Sequence, residues 1–167
     1  MKTNVAIIGG GASGMVAAVS AAKHGACVTL FERNDRLGKK ILVTGNGKCN
    51  LGNKNISVND YYSDGMEFVE RSLERFGTKD TEAFFQSLGL MIKERNGYLY
   101  PRNEQASAVL DVLRMAVDRY GVKVVYQTKI NGLKKRSDGL FELSWEGKEK
   151  TQKEVADELR DFTKLYF

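Results

Sequence analysis

The stretch Val5–Arg33 constrains the fold of this chain more than any other segment. It begins with a short apolar run, Val5–Ile8, which has the length of a buried strand. A glycine pattern of the form GxGxxG follows at once, then small residues that predict a helix over Met15–His24, then a second apolar run, Cys27–Phe31. This order predicts a strand–turn–helix–strand unit with the carboxylate of Glu32 at its end.

Each glycine of the pattern has a physical reason to be glycine. Gly9 lets the chain turn sharply off the strand, Gly11 leaves the backbone open to a pyrophosphate, and Gly14 lets the helix pack closely on the sheet. The unpaired N–H groups and the dipole at the helix N-terminus favour the same anion. Glu32, 18 residues beyond Gly14, is placed to accept hydrogen bonds from a ribose diol. The alternative is a glycine-rich turn in an ordinary βαβ unit, which leaves the full match of strand, helix and acid unexplained.

Positive charge is concentrated in the segment that follows this unit. The chain of 167 residues has a formal net charge of +5, and residues 33–54 carry six basic side chains against one acidic side chain. The rest of the chain is therefore neutral, which argues against a nucleic-acid binder with basic charge spread along one face. A phosphate-bearing cofactor beside this loop explains the local excess.

Composition favours one domain with an ordinary core. Hydrophobic residues make up 42% of the chain and charged residues 28%, and the length is sufficient for one core. No apolar run is long enough to span a bilayer, and glycines interrupt an N-terminal run that otherwise resembles a signal peptide. The two cysteines form no CxxC pair and no metal cluster, so we expect a cytoplasmic protein without a metal site. Cys27, within an apolar strand, is expected in the core, and Cys49 is expected to pack or to contact a cofactor.

The remaining segments predict helices and strands around a long loop. Residues 34–59 are rich in glycine, asparagine and lysine, and they predict an ordered functional loop with one short strand, Ile41–Val43. The tail from Lys153 to Tyr166 is predicted as a short amphipathic helix. Helices are predicted over 66–76 and 78–88, and their aromatic residues are expected in the core. Further predicted elements are a helix over 106–120, a hairpin over 90–100 closed at Asn96-Gly97, a strand over 123–126 and antiparallel strands over 129–134 and 140–145.

Three segments carry a resemblance to a known family. They are GGGASG with Glu32-Arg33, LGKKILVTGNGKCNLGN at 37–53 and GYLYPRNEQASAVLDVL at 97–113. They resemble bacterial flavoproteins of the NAD(P)/FAD-dependent oxidoreductase group, some of which are aminoacetone-oxidase-like. The resemblance covers roughly residues 3–148, and the middle segment is far more specific than the glycine pattern. It implies an α/β fold, namely a Rossmann-like three-layer FAD-binding domain of the glutathione-reductase-like class with an antiparallel β hairpin or meander.

The resemblance implies FAD as the cofactor and assigns residues to it. Glu32 would bind the adenosine ribose, Arg33 would lie beside the adenine half, and Ile130 would contact adenine through its backbone. The FAD pyrophosphate would be held by Gly9, Gly11, Ala12, Ser13 and Gly14. The residues near the pyrophosphate and flavin would be Lys40, Thr44, Gly45, Asn46, Gly47, Lys48, Cys49 and Asn50. Tyr98, Tyr100 and Arg102 either approach the flavin or belong to a packed hairpin. No catalytic residue is assigned, because flavins supply the redox chemistry themselves, and NAD(P)H is a candidate electron donor.

The resemblance also implies a chain more than twice as long. A second glycine-bearing strand, a substrate domain and a C-terminal FAD segment are expected after the antiparallel strands, and their motifs are absent from the sequence. Residues 1–150 are therefore interpreted as the N-terminal part of an FAD-binding domain and 151–167 as a divergent tail. The resemblance therefore leads us to expect an incomplete, truncated flavin-dependent oxidoreductase that is weakly active or inactive alone and acts on an unknown small-molecule substrate.

Four alternatives remain open at this point. The first is a non-catalytic nucleotide-binding remnant. The second is half of a split flavoenzyme that pairs with a complementary C-terminal chain. An NAD-binding dehydrogenase module accounts for Glu32 but not for the segment TGNGKCN. An RNA-modifying flavoprotein shares the glycine pattern, but the balanced charge outside one loop argues against a large RNA surface, so no nucleic-acid or membrane partner is expected.

Overall fold

The computed structural model describes residues 3–147 and 164–166. The chain divides into a first unit, residues 1–39 with 113–167, and a second unit, residues 40–112. In chain order the elements are β1 (Asn4–Ile8), α1 (Ala12–Lys23), β2 (Cys27–Phe31), β3 (Gly52–Asn53), α2 (Met66–Arg75), α3 (Thr78–Ser87), β4 (Ile92–Arg95), β5 (Tyr98–Pro101), α4 (Ala106–Arg119), β6 (Lys123–Val125), β7 (Thr128–Lys135), β8 (Phe141–Gly147) and β9 (Lys164–Tyr166).

A parallel sheet forms the centre of the first unit. Its strand order is β6–β2–β1–β9, and each neighbouring pair is parallel. Val5 lies opposite Val28 and Ile7 opposite Leu30, and all four side chains are buried. Parallel strands need crossover connections that cover the sheet faces, which explains why these strands are apolar almost throughout. The predicted Rossmann-like α/β fold is confirmed.

Helix α1 packs a face of small and apolar residues. Met15, Ala18 and Val19 are completely buried, and their spacing places them on one side of the helix. The helix begins at Ala12, three residues before the predicted start, because Gly11 already has the extended conformation of an N-cap residue. After the helix, Gly25 has a φ of +87° and turns the chain toward β2.

Strands β7 and β8 form the predicted antiparallel pair beside the parallel sheet. Ile130 lies opposite Trp145, and the pairing is irregular between Ile130 and Gly132. The side chain of Ile130 packs against a small buried cluster. The cluster consists of Ala6, Phe31, Val125 and Leu143. This packing joins the antiparallel pair to β1, β2 and β6.

Residues 164–166 form a strand that the sequence did not predict. Strand β9 pairs in parallel with β1, with Ala6 opposite Leu165. The predicted tail helix is therefore wrong at Tyr166, and the part of that prediction over 153–163 lies outside the described residues. A three-residue segment is too short for periodicity to distinguish strand from helix. Pairing with β9 satisfies backbone groups of β1 that an exposed sheet edge would leave open.

A small antiparallel sheet, two helices and residues 106–112 of α4 build the second unit. The strand order is β3–β5–β4. Strands β4 and β5 form the predicted hairpin, and Asn96 and Gly97 both have positive φ, 52° and 84°, as a type I′ turn requires. Leu99 on β5 is completely buried, as are Val109 and Leu110 at 2% exposure each on α4.

The long loop contains a 3₁₀ segment where a strand was predicted. This segment, Ile41–Gly47, consists of short 3₁₀ turns interrupted by the non-helical backbone of Thr44, Gly45 and Asn46, so the strand predicted over Ile41–Val43 is wrong. Ile41 is buried, whereas Leu42 and Val43 are exposed, which suits a single helical turn with one inward side chain. A short apolar run does not distinguish these conformations.

Two predictions about burial are also wrong. Cys27 is exposed because it is the first residue of β2, where only the four following residues are buried. Helix α2 has no buried residue, and Phe68 and Phe76 are 75% and 52% exposed. Phe85 on α3 is buried as predicted. Helical spacing predicted a stripe on α2, but it carries no information about what covers that stripe.

Candidate functional site

The glycine loop lies between β1 and α1 and is held by backbone hydrogen bonds. The N–H of Gly9 donates to the carbonyl of Phe31 at 2.8 Å, and the N–H of Gly38 donates to the carbonyl of Gly10 at 2.8 Å. A β carbon at Gly14 would collide with the carbonyl oxygen of Gly9, and one at Gly10 would collide with the side chain of Leu37. Packing within the protein therefore requires glycine at positions 10 and 14.

Gly11 lies in the same loop but is not constrained by its neighbours. A β carbon built there meets nothing within 4 Å in the part of the chain that the structure describes, and its φ of −78° suits any residue. No described side chain caps α1. The N–H groups of Ala12, Ser13 and Gly14 are the first of the helix and have no partner within it. The loop thus presents open backbone donors at the positive end of a helix dipole, as an anion cradle requires.

Glu32 is fixed at the end of β2 by a set of hydrogen bonds. Glu32 is buried, with only 6% of its surface exposed. Its Oε2 accepts the N–H of Gly10 at 2.7 Å, and its Oε1 accepts the backbone N–H and the side-chain amide of Asn34 at 2.7 and 2.5 Å. On the main chain, the N–H of Glu32 donates to Val125 at 2.9 Å and its carbonyl accepts from Thr128 at 3.0 Å. The carboxylate therefore ties the glycine loop to the end of β2.

Two further predicted residues lie in this first unit. Arg33 is exposed directly after Glu32. Ile130 is half-buried in β7, where its side chain packs into the cluster beneath Phe31 and Val125. The structure therefore places the glycine loop, Glu32, Arg33 and Ile130 in one unit. The contact of Ile130 with adenine stays a prediction.

The predicted loop residues lie in the second unit. The hydroxyl of Thr44 donates to the carbonyl of Ile41 at 2.6 Å, and the N–H of Lys48 donates to the carbonyl of Gly45 at 3.1 Å. Asn46 and Cys49 have left-handed backbones, with φ of 52° and 57°. This is a tightly coiled loop that is held by hydrogen bonds within the loop itself. Its predicted cofactor residues are Lys40, Thr44, Gly45, Asn46, Gly47, Lys48, Cys49 and Asn50.

Glu104 joins this loop to the hairpin, and the sequence analysis missed it. Its Oε2 lies 3.2 Å from Nζ of Lys48, and its Oε1 lies 2.7 Å from Nζ of Lys93. Hydrogen bonds from Lys93 and Lys48 lower the pKa of Glu104 to about 2. Glu104 is therefore ionised at neutral pH and neutralises part of the charge of Lys48. No local spacing could have indicated a pairing between residues so far apart in the sequence.

A small cleft opens beside this ion pair. Its volume is about 150 Å³, below the about 300–1,000 Å³ of a typical ligand pocket, so it would take only part of a ligand. Lys93 lies opposite Tyr100 and Arg95 opposite Tyr98 on the hairpin, which places two cations and two tyrosines on one face. The cleft is lined by Lys48, Arg95, Asn96, Tyr98, Tyr100 and Glu104.

Residues 3–147 and 164–166 contain neither a metal cluster nor a membrane-spanning helix. Within these ranges, no group of three histidine, cysteine, aspartate or glutamate side chains is arranged to hold a metal ion. No helix there combines the length and the apolar character that crossing a membrane requires.

The fold and the glycine loop define a class of protein. A parallel sheet, a glycine loop between its first strand and helix, and a buried carboxylate at the end of the second strand make this a Rossmann-type α/β domain. More particularly, the chain belongs to the family described as HI0933-like protein Rossmann domain, whose family model matches residues 3–156.

Curated relatives and a solved structure are similar to the chain. The 3-dehydro-bile acid delta(4,6)-reductase of Clostridium scindens is 44% identical over 137 residues, which are 81% of this chain and 34% of that relative. The ribosomal RNA dihydrouridine synthase of Haemophilus influenzae is 32% identical over 75% of this chain and 31% of its own length. The chain thus spans about a third of the length of these relatives. The crystal structure of Thermovibrio ammonificans THI4 matches 96% of this chain and 52% of its own chain, at 21% identity and a TM-score of 0.57, a likeness of fold alone.

Proposed function

We propose that this chain binds FAD and forms the FAD-binding Rossmann part of a flavin-dependent oxidoreductase. The observation that carries the proposal is the open backbone at Gly11, at the uncapped N-terminus of α1 among the described residues. A β carbon would fill this space, and the adjacent N–H groups favour a pyrophosphate. The similarity to a bile acid reductase from Clostridium scindens supports an oxidoreductase.

The residues of the first unit fit the adenosine and pyrophosphate parts of FAD. Backbone N–H groups of residues 11–14 would hold the pyrophosphate, and Gly9 would give the loop its turn. Glu32 would accept a hydrogen bond from the ribose, Arg33 would lie beside the adenine half, and Ile130 would contact adenine through its backbone. FAD supplies the redox chemistry when it is bound, so this chain's residues bind and orient it.

The loop of the second unit is proposed as a further set of cofactor ligands. Its left-handed backbone at Asn46 and Cys49 is the kind of conformation that forms anion-binding concavities, which suits an anionic group. Lys48 would contribute positive charge, because its side chain remains nearly half exposed although it forms an ion pair with Glu104. These assignments, the finer resemblance to aminoacetone-oxidase-like flavoproteins, the NAD(P)H donor and the cytoplasmic location stay predictions.

The reaction of the whole protein is proposed only as a class. The chain spans about a third of its curated relatives, so an unknown small-molecule substrate and a complementary chain belong to the proposal rather than to the site described above. The oxidoreductase relative favours a flavoenzyme domain over a non-catalytic nucleotide-binding remnant. Half of a split flavoenzyme stays an alternative.

Action on RNA is a second candidate, favoured by the relative from Haemophilus influenzae. The basic side chains of residues 33–54 would supply positive charge toward the phosphates, three of them in each unit. Salt-dependent retention of an rRNA fragment by the purified chain would support this candidate. Equal migration of that fragment with and without protein at low salt would exclude it for this chain.

The proposed function is tested by flavin retention. The purified chain is mixed with FAD, separated from free FAD by gel filtration, and examined by absorption spectroscopy. We expect flavin absorbance to co-elute with the protein and to be displaced by excess ADP. The Gly11→Ala variant is expected to lose the flavin, whereas Ser20→Ala, at an exposed position on α1, is expected to retain it. A folded wild-type chain that elutes without flavin would contradict the proposal.

A further inference from the structure

Asn34 makes two hydrogen bonds to a single oxygen of Glu32. Its backbone N–H and its side-chain amide both donate to Oε1, at 2.7 and 2.5 Å. The other oxygen, Oε2, accepts one hydrogen bond, from the N–H of Gly10 at 2.7 Å. A carboxylate oxygen has two lone-pair positions. Oε1 is therefore filled by Asn34, whereas within residues 3–147 and 164–166 Oε2 has Gly10 as its one donor and retains one open position.

The position of Asn34 is itself fixed by the turn that follows β6. Its carbonyl accepts the N–H of Gln127 at 3.0 Å, and Gln127 has a left-handed backbone with φ of 54°. One residue further on, the N–H of Thr128 donates to the carbonyl of Glu32 at 3.0 Å. Glu32 and Asn34 are thus held from the same turn, and Asn34 is half-buried. The backbone of Asn34 is therefore held on both its N–H and its carbonyl, and the side-chain amide donates to Glu32 from this fixed backbone.

We propose that Asn34 is a positioning residue that determines how Glu32 recognises a ribose. By filling Oε1, Asn34 leaves only Oε2 to accept a hydroxyl, so Glu32 takes one of the two ribose hydroxyls. Without Asn34, Oε1 becomes available to the second hydroxyl and the carboxylate loses its fixed orientation. This inference rests on the proposed function, because it requires an adenosine ribose beside Glu32.

The wild-type chain provides the first test. Calorimetric titration of the full chain compares ADP, which carries the adenosine ribose of FAD, with 2′-deoxy-ADP and 3′-deoxy-ADP. We expect one analogue to bind about 10- to 100-fold more weakly than ADP, because it lacks the donor to a charged acceptor. The other analogue is expected to bind like ADP. Equal affinities of the two analogues would overturn the inference.

Variants at position 34 provide the second test. In Asn34→Ala we expect weaker ADP binding and a ratio of the two analogue affinities that moves toward one, since Oε1 is then open to the second hydroxyl. Asn34→Ser retains a short donor and is expected to restore part of the wild-type ratio. A merely structural role would weaken all three ligands equally and leave the ratio unchanged, which would overturn the inference.

The two proposals fail in different ways. If the folded wild-type chain binds no ADP, the proposed function fails and this inference fails with it. If the wild-type chain binds ADP but the analogue ratio is the same in Asn34→Ala, only the role of Asn34 fails. Urea unfolding of each variant confirms that the titrated protein is folded. Should Asn34→Ala not fold, the wild-type analogue comparison and Asn34→Ser decide the question.

Discussion

The carbonyl oxygen of Gly9 occupies the space that a β carbon at position 14 would need. Gly11, in the same loop, has open space at the corresponding position among the described residues. Two glycines of one pattern are thus glycine for different reasons. Gly14 is required for the helix to pack, whereas Gly11 leaves room for a ligand. This difference separates a folding requirement from a binding requirement.

Alanine at position 14 should therefore reduce stability, whereas alanine at position 11 should reduce FAD binding. Gly14→Ala is expected to lower the free energy of unfolding by about 3 kcal/mol or more, because a backbone carbonyl cannot move aside as a side chain can. Gly11→Ala should change it by no more than about 0.5 kcal/mol while it reduces FAD binding. Urea unfolding and FAD titration measure the two effects. If Gly11→Ala destabilises the chain as much as Gly14→Ala does, or leaves FAD binding unchanged, this division of roles is wrong.

Removing the charge of Glu32 should destabilise the chain even without ligand. In Glu32→Gln, an amide NH₂ replaces one of two oxygens that together accept three hydrogen bonds from Gly10 and Asn34. At least one buried donor then faces another donor, and we expect a loss of about 1–3 kcal/mol in urea unfolding. Asp35→Asn is the matched control, because Asp35 pairs with Lys39 on an exposed surface. That change should alter the free energy of unfolding far less than Glu32→Gln does, because solvent screens an exposed ion pair. Equal losses in both variants would contradict the role assigned to Glu32.

The local parts of this fold were predictable because they depend on short-range patterns. The strand–loop–helix–strand unit and the turn at Asn96-Gly97 follow from residues adjacent in the sequence, and the structure confirms both. Strand β9 was not predictable, since three residues carry no usable period. The 3₁₀ segment at Ile41–Gly47 was missed for the same reason.

The candidate site was predictable only where its residues are close in the sequence. The glycine loop and Glu32 belong to one spacing pattern, and their hydrogen bond is consistent with it. Glu104 was missed because its pairing with Lys48 depends on how the loop and the hairpin fold together. Asn34 was missed because its role depends on a side-chain orientation that the spacing rule does not describe.

The Glu104 ion pairs should make stability depend on pH in the acid range. The pKa of Glu104 is about 2 in the folded chain, below its ordinary value of 4.5, so the carboxylate stabilises the fold above pH 4.5. As the pH falls from 4.5 toward 2, Glu104 becomes protonated first in the unfolded chain, and this stabilisation disappears. Urea unfolding of wild type and Glu104→Gln should therefore differ at pH 7 and converge near pH 2.

A double-mutant cycle with Lys93→Met assigns this effect to the ion pair. The coupling between positions 93 and 104 should be present at pH 7, should decrease in high salt and should vanish near pH 2. A coupling that is the same at both pH values would show that the lysine contact is not responsible.

Two turn glycines allow backbone strain to be separated from crowding. Gly89 and Gly97 have similar positive φ, 90° and 84°, but among the described residues only Gly97 has neighbours within 4 Å of its β-carbon position. These are the side chains of Asn55 at 2.5 Å and Asn53 at 2.9 Å. The side-chain oxygen Oδ1 of Asn53 accepts a hydrogen bond from the backbone N–H of Asn55 at 3.0 Å. Gly89→Ala should lower the free energy of unfolding by about 1–2 kcal/mol, the cost of a left-handed residue. Gly97→Ala should lower the free energy of unfolding by about 1–3 kcal/mol more than that, because the side chains of Asn53 and Asn55 must move.

Urea unfolding of both variants measures this difference directly. A triple variant, Gly97→Ala with Asn53→Ala and Asn55→Ala, removes the crowding while it retains the strain. In the Asn53→Ala/Asn55→Ala background, Gly97→Ala should lower the free energy of unfolding by only about 1–2 kcal/mol. This is the same decrease that Gly89→Ala is expected to cause in the wild-type chain. If the loss at Gly97 is undiminished in that background, backbone strain alone sets the requirement for glycine at the hairpin turn, and the contact with Asn53 and Asn55 contributes nothing.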